Sequence, residues 1–345
     1  MTSHRSPASR AKRHGAAPAR IVGDIGGTHA RFAVLGAAGC LEHLEVLDCA
    51  DYPRVEDAIV AYLAEVGLQE VSELCLAVAG PVDRDQVDLP NNRWAFSRHQ
   101  LELTLGAPLL VINDFTAQAL SLDLLAEDEF HWLGSPRPAG ACIRGVVGPG
   151  TGLGVAILMP SGEVLPSEGG HVGFAPTNNH QIDLLRALHS RFRRVSVERL
   201  ASGPGLENLY WANRHLETGE REGAGLRRSA REVAELAAQG DPVAMRSVAD
   251  FFDVLATFAG DLALMAWAAG GVYLSGGVLR RLMPFFDPER FRARFEDKGR
   301  FTHFLETVPL AWIRAEHPGL LGCAAALTGR TGALSTGGGT AAGVP

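Results

Sequence analysis

Two glycine- and threonine-rich segments of this chain have the composition to bind an anion. Asp24-Ile-Gly-Gly-Thr28 and Gly148-Pro-Gly-Thr-Gly-Leu-Gly154 each lie between two apolar runs, about 125 residues apart. Glycine lets the backbone approach a ligand closely and adopt positive φ. Amide N–H groups at Gly26, Gly27, Gly150 and Gly152, with the Thr28 and Thr151 hydroxyls, can then converge on one oxyanion. Phosphate is the natural guest; a pair of ordinary hairpin turns is the alternative. Neither segment is a Walker loop, because neither carries the lysine of G-x-x-x-x-G-K-[ST]. Neither is a dinucleotide fingerprint, because counting from Gly148 or Gly150 the last glycine is replaced by Leu153 or Val155. The chain's two lysines, Lys12 and Lys298, sit in a basic arm and a late charged segment, so a protein-kinase strand lysine is missing too. A lysine-free cradle of backbone amides, hydroxyls and Mg²⁺ is what these letters leave.

Carboxylates accompany the two segments. Asp24 ends an apolar run just before the first, where it can hold Mg²⁺ directly or through water, or act simply as a turn aspartate. Asn113-Asp114 follows the apolar run Pro108–Ile112. Ligands in open α/β sheets bind outside the carboxyl ends of strands, so Asp114 is placed either to accept a hydroxyl proton or to cap the following helix. Glu168-Gly-Gly-His171 puts a carboxylate and an imidazole at the two ends of a tight turn, a geometry that grips neighbouring hydroxyls of a small polyol. Glu198 offers a further acceptor, or an exposed helix carboxylate, and Asn91-Asn92 a polar loop that can reach the same ligand. A zinc site is disfavoured because no further His or Cys has standard ligand spacing.

The elements that must position these groups alternate between strands and helices. Arg20–Ile25 and Arg31–Leu35 read as strands around the first glycine turn, and Ile143–Val147 and Val155–Met159 as strands around the second. Val55–Val66 has helical apolar spacing, Leu74–Ala79 and Leu109–Ile112 are short buried-strand runs, Ser97 caps a helix to Leu105, and a helix starts at Phe115. Helices follow over about 181–190, 205–215, 230–238 and 242–268, the last with a buried stripe of Val248, Phe252, Leu255, Ala259 and Leu262. Gly271–Leu274 is a strand and Pro318–Leu327 a closing helix. The pattern is α/β. Two similar strand–turn–strand units point to an internal duplication whose tips share one cleft.

A length of 345 residues suggests two domains, and a formal net charge of −7 argues against nucleic-acid binding through the bulk field. No apolar run approaches membrane-spanning length. Five scattered cysteines without a C-x-x-C pair fit reduced thiols in a cytoplasm. Residues 1–19, basic and acid-free, read as a disordered arm, with a transit peptide as the alternative, and residues 330–345 as a disordered tail. Between them the expected division is a small domain over 20–122, completed by a helix over 317–329, and a large domain over 123–316.

These pieces, in this order, resemble the bacterial hexokinase-like glucokinase family of the actin-like ATPase superfamily. The matching stretches are Asp24–Arg31, Ala79–Val82, Leu89–Ser97, Ile112–Ala117, Gly148–Gly154, Glu168–His171 and Leu274–Gly277, spread over roughly residues 20 to 330. The resemblance implies two ribonuclease-H-like domains around a central cleft, usually in a homodimer, and phosphorylation of glucose by ATP. It implies Asp114 as the base, glucose held by Asn113, Glu168, His171 and Glu198, phosphates on the two tips, and the nucleoside near Gly276 and Gly277. His29 departs from the family's usual asparagine, which puts a side-chain contact at that position in doubt. A kinase of the same fold for another hexose or an amino sugar, or a sugar sensor without catalysis, are the competing readings.

Overall fold

The computed structural model describes residues 18–90, 92–134, 141–220 and 227–333. The readings of the far amino-terminal arm, of the end of the tail and of Asn91 lie outside them. The first half opens with β1 (Ala19–Ile25), β2 (His29–Leu35) and β3 (Leu41–Asp48), then α1 (Val55–Glu65), β4 (Val71–Val78), a small ribbon of β5 (Gln86–Asp88) and β6 (Ala95–Ser97), α2 (Arg98–Leu105), β7 (Leu109–Asn113) and α3 (Asp114–Ser121). The second half holds β8 (Phe130–Trp132), β9 (Arg144–Pro149), β10 (Leu153–Leu158) and β11 (Val164–Ser167), then α4 (Asn179–His189), α5 (Gly203–Thr218), α6 (Ala230–Ala238) and α7 (Pro242–Ala266). It ends with β12 (Val272–Leu274), α8 (Gly277–Leu282), α9 (Pro288–Glu296), α10 (Thr302–Thr307), β13 (Leu310–Ile313) and α11 (Pro318–Ala333).

The two sheets repeat one topology. Strand order is β3-β2-β1-β4-β7 in the five-stranded sheet and β11-β10-β9-β12-β13-β8 in the six-stranded one. In each, three antiparallel strands lead and two parallel strands follow. The β1–β2 and β9–β10 hairpins are therefore equivalent, as are the helices α3 and α11 that leave β7 and β13. This is the arrangement expected of two ribonuclease-H-like units.

Alternation along the strands sends each face to its own core. Ile21 and Ile25 of β1 pack with Val55, Ala58, Ile59 and Tyr62 of α1. Val22 faces the opposite side, where Leu320, Cys323, Ala324 and Leu327 of α11 return to cover the first sheet. Helix α3 serves both sheets: Ala117 joins that second core, while Ala119 and Leu122 pack on Val146, Ala156 and Tyr273 of the other sheet. Helices α4 to α7 and α9 cover the far face of the six-stranded sheet. The stripe read for α7 is buried at all five positions, at 6% exposure or less.

Some boundaries differ from the sequence reading. Helix α3 begins at Asp114, not Phe115, because the cap is one residue earlier. Helix α11 runs to Ala333, four residues into the segment read as tail. Strand β3 was not read because its positions are mostly exposed, which removes the alternation that marks a half-buried strand.

Candidate active site

Both glycine tips open onto one cavity of about 420 Å³, lined from the first half by Gly26, Gly27, Asn113 and Asp114 and from the second by Gly150, Thr151, Gly152, Glu168, His171 and Glu198. Among the described residues no lysine or arginine lines it. Lys298 lies elsewhere, with its Nζ donating to Asp261 Oδ1 at 2.6 Å and to the Thr257 carbonyl at 2.8 Å.

The first tip is closed by Gly26 N donating to the His29 carbonyl at 2.9 Å, while the His29 side chain stays exposed. The second is closed by Gly150 N donating to the Gly152 carbonyl at 2.8 Å. Gly26, Gly150 and Gly152 do not have positive φ. The left-handed backbone expected of them is thus absent, and close approach is what glycine supplies. A Cβ on Gly152 would stand 2.6 Å from Glu198 Oε2, and one on Gly154 would enter the Phe115 ring at 1.9 Å. Thr28 lines an adjoining groove that shares Gly27 with the main cavity. Gly276 and Gly277 stand behind the second tip, outside the cavity lining, and Gly276 takes φ of 110° against the Pro149 carbonyl.

The pair at the end of β7 divides two tasks. Asn113 is the helix cap: its Oδ1 accepts from Phe115 N at 2.9 Å and Thr116 N at 3.2 Å, and its Nδ2 donates to the Gly80 carbonyl at 3.3 Å. Asp114 faces the cavity from the first turn of α3, its Oδ1 accepting from Phe115 N at 2.9 Å. Loss of water around it, and next the charge of Asp24, push its pKa up to about 7. Asp24 closes β1, paired with Arg31 of β2, whose Nη1 lies 3.9 Å from its Oδ2. Burial raises the Asp24 pKa as well, with Arg31 and then His317 opposing. Asp24 does not line the cavity itself, yet its charge reaches Asp114 there.

Opposite stand the groups expected to grip a polyol. A single 3₁₀ turn at Gly169–His171 brings His171 Nε2 to 3.7 Å from Glu168 Oε2, and His171 Nδ1 lies 3.8 Å from Glu198 Oε1. Two carboxylates that accept and an imidazole that can donate thus share a few ångströms, which suits vicinal hydroxyls. The Gly-Gly of the turn exists for packing: a Cβ on Gly170 would lie 2.1 Å from the Leu153 carbonyl. Arg194 fixes the turn from behind, donating from Nη1 to the His171 carbonyl at 2.7 Å.

Two further residues support the site: Asn92, of the Asn91-Asn92 loop read above, and Phe115, which the sequence does not single out for it. Asn92 donates from Nδ2 to the Gly26 carbonyl at 3.1 Å and accepts from Trp94 N at 3.1 Å, so it holds the first tip. Phe115 fills the hollow over Gly148 and Gly154 and joins Asp114 to the second tip. The Asn-Asn pair before Trp94 was the signal for the former; nothing local marks the latter.

A glucokinase family model matches residues 21–330. The chain is 46% identical over 312 residues to the glucokinase of Chromohalobacter salexigens, covering 89% of this chain and 97% of that one. It is 41% identical to the bifunctional protein glk of Burkholderia lata, of which it spans 51%, about half the length. Among solved structures, a glucokinase from an Antarctic psychrotroph aligns with a TM-score of 0.80 at 34% identity, covering 90% of this chain and 99% of the other. A Balamuthia mandrillaris glucokinase in complex with glucose aligns at 0.74 over 89% and 92% of the two chains, a likeness of fold at 22% identity. With a matched span that takes in both sheets, both tips and the turn bearing Glu168 and His171, the chain belongs to the glucokinase family.

Proposed function

We propose that the chain transfers the terminal phosphoryl group of ATP to the 6-hydroxyl of glucose, with Asp114 as the general base. Glucose hydroxyls pair with Asn113, Glu168, His171 and Glu198 on one side of the cavity. The triphosphate lies on the amides of Gly26, Gly27, Gly150 and Gly152 and the hydroxyls of Thr28 and Thr151, with the nucleoside towards Gly276 and Gly277. Asp114 takes the 6-hydroxyl proton as that oxygen bonds to the γ-phosphorus and the bond to the β–γ bridging oxygen breaks, releasing ADP. The observation that carries this reading is the single cavity that brings Asp114 together with both glycine tips and with Glu168, His171 and Glu198; a base whose pKa is pushed up to about 7 suits the working pH.

Magnesium fits the same site. Among the described residues there is no cluster of three or more metal-ligating side chains. A magnesium ion bound mainly by phosphates and water needs only one or two protein carboxylates, and Asp24, poised at the end of β1, supplies one. When bound, the ion would neutralise charge on the β- and γ-phosphates.

A coupled assay of ADP formation with glucose, mannose, fructose and N-acetylglucosamine side by side tests the proposal. The expected result is sugar-dependent turnover fastest on glucose. No sugar-dependent turnover would leave a sensor, and faster turnover on another sugar would replace the substrate. The reading extends to a cytoplasmic homodimer that binds neither nucleic acid nor membrane. It is supported by the family resemblance and the net charge of −7, and among the described residues no helix is long and apolar enough to cross a membrane. Sedimentation of the glucose-bound chain as a monomer would remove the dimer.

A further inference from the structure

A second cavity, of about 320 Å³, lies between the end of α4, one face of α5 and the segment entering α6, lined by Arg191, Arg227, Arg228, Glu207, Asn208 and Trp211. In a chain whose net charge is −7, this wall gathers three arginines and one carboxylate. That carboxylate is engaged, since Glu207 Oε1 accepts from Ala230 N at 3.1 Å. The Arg191 guanidinium is held by aromatic faces, 4.7 Å from the Trp211 ring centre and 5.5 Å from that of Phe192. Neighbouring Arg186, Arg214 and Arg231 pair with Asp183, Glu217 and Glu235. Arg191 and Arg227 pair with no carboxylate among the described residues. Burial, and then the charge of Arg227, lower the Arg191 pKa, with Glu207 partly offsetting them. Two exposed cations on one pocket wall, with its carboxylate already engaged, form an arrangement that a bound dianion relieves.

We infer that this pocket binds a small phosphate monoester, its dianion on Arg191 and Arg227 and its hydroxyl-bearing body against Glu207. Guanidinium forks match phosphate oxygens in pairs, and the volume is at the small end of ligand sites. The pocket is linked to the sugar side of the main cavity. Asn208 Nδ2 donates to the Arg199 carbonyl at 3.0 Å, and the Arg199 guanidinium lies 4.5 Å from the centre of the same Phe192 ring that Arg191 touches. Arg199 follows Glu198, so occupancy bears on the residue assigned to glucose. That coupling rests on the proposed role of Glu198; the binding itself does not.

Calorimetric titration of the full chain in saturating glucose, with inorganic phosphate and with glucose 6-phosphate, tests the inference. A saturable site is expected that weakens about tenfold or more in Arg191→Gln/Arg227→Gln, the scale of a lost charged hydrogen bond, while kcat without added phosphate stays unchanged. Equal affinity for the two titrants assigns the site to free phosphate, and tighter binding of glucose 6-phosphate to the ester. The site should persist in Asp114→Asn, which separates it from the failure of the catalytic proposal. Should the double variant not fold, exposed Arg227→Gln is read the same way. No saturable binding, or binding indifferent to these substitutions, overturns the inference.

Discussion

Glu198 Oε2 accepts a hydrogen bond from Leu153 N at 2.9 Å, so a carboxylate proposed to hold the sugar also anchors the hairpin proposed to hold the phosphates. Its other oxygen, Oε1, faces His171 at 3.8 Å. On the proposed reading one side chain thereby ties the acceptor sugar to the donor phosphates, and two substitutions separate the roles. Glu198→Gln keeps an oxygen for Leu153 N but loses the charge offered to sugar hydroxyls. It should raise the glucose KM about tenfold or more with little change in that for ATP. Glu198→Ala should raise both. Equal effects of the two variants on the two KM values would refute the dual role.

Asp114→Asn should lower kcat by about 10² or more, the usual worth of a general base. Because the amide can still donate to and accept from a hydroxyl, the glucose KM should stay within about threefold. Near-normal turnover would take Asp114 out of the role of base.

The pH profile follows from the raised pKa of Asp114. The base must be ionised, so kcat/KM should fall tenfold per unit below an ionisation near pH 7. The Asp24 charge is the second cause of that elevation, and Asp24→Asn should move the acid limb of the residual activity to lower pH. An unmoved limb would uncouple the two carboxylates.

The same shift has a cost in stability. Asp114 titrates near 3.8 when unfolded and about 7 when folded, so the folded state holds its proton more tightly. Below both values the group makes no difference; stability then declines as pH rises through this window and the loss is complete above 7. Asp114→Asn, permanently neutral, should therefore be more stable than the parent at pH 8, by at most about 4 kcal/mol, with a smaller advantage at pH 5. Urea melts at the two pH values measure it. A variant less stable at pH 8 would show that the carboxylate is not held at a cost.

Much of this site is legible in the letters because glycine clusters interrupt apolar strands, which locates both tips, and because Asn113-Asp114 and Glu168–His171 follow strand ends. The assignment within the Asn113-Asp114 pair was less accessible. Which residue caps α3 depends on a one-residue shift of the helix start, below what a propensity pattern resolves. The reason for the glycines was hidden altogether. Gly152 and Gly154 make room for Glu198 and Phe115, side chains brought there by distant segments, and no local pattern carries that information. Strand β13 is four residues long and pairs with β8 and β12, so its existence depends on partners.

Asn92 is placed to act through the tip it holds. Its contact with the Gly26 carbonyl and its turn with Trp94 hold the first tip in place. Asn92→Ala should raise the KM for ATP about fivefold to tenfold, on the order of one lost hydrogen bond, and leave that for glucose nearly unchanged. An effect on glucose alone would place the Asn-Asn loop at the sugar instead.

The return of α11 onto the first sheet offers a final separation of packing from chemistry. At Gly322 a Cβ would lie 1.7 Å from the Ala117 carbonyl of α3, while at Gly319 it would lie 2.9 Å from Asp24 Cγ. The first obstacle is helix backbone and cannot turn aside; the second is the end of a side chain and can. Gly322→Ala should therefore force α3 and α11 apart and cost about 3 kcal/mol or more, beyond the 0.5–1 kcal/mol that alanine gains in a helix. Gly319→Ala should keep or slightly raise stability while displacing the Asp24 carboxylate, seen as a higher magnesium requirement at unchanged glucose KM. If Gly319→Ala left the magnesium dependence untouched, Asp24 would lose its assigned place beside the phosphates. The α3–α11 crossing would still be tested by the melting of Gly322→Ala alone.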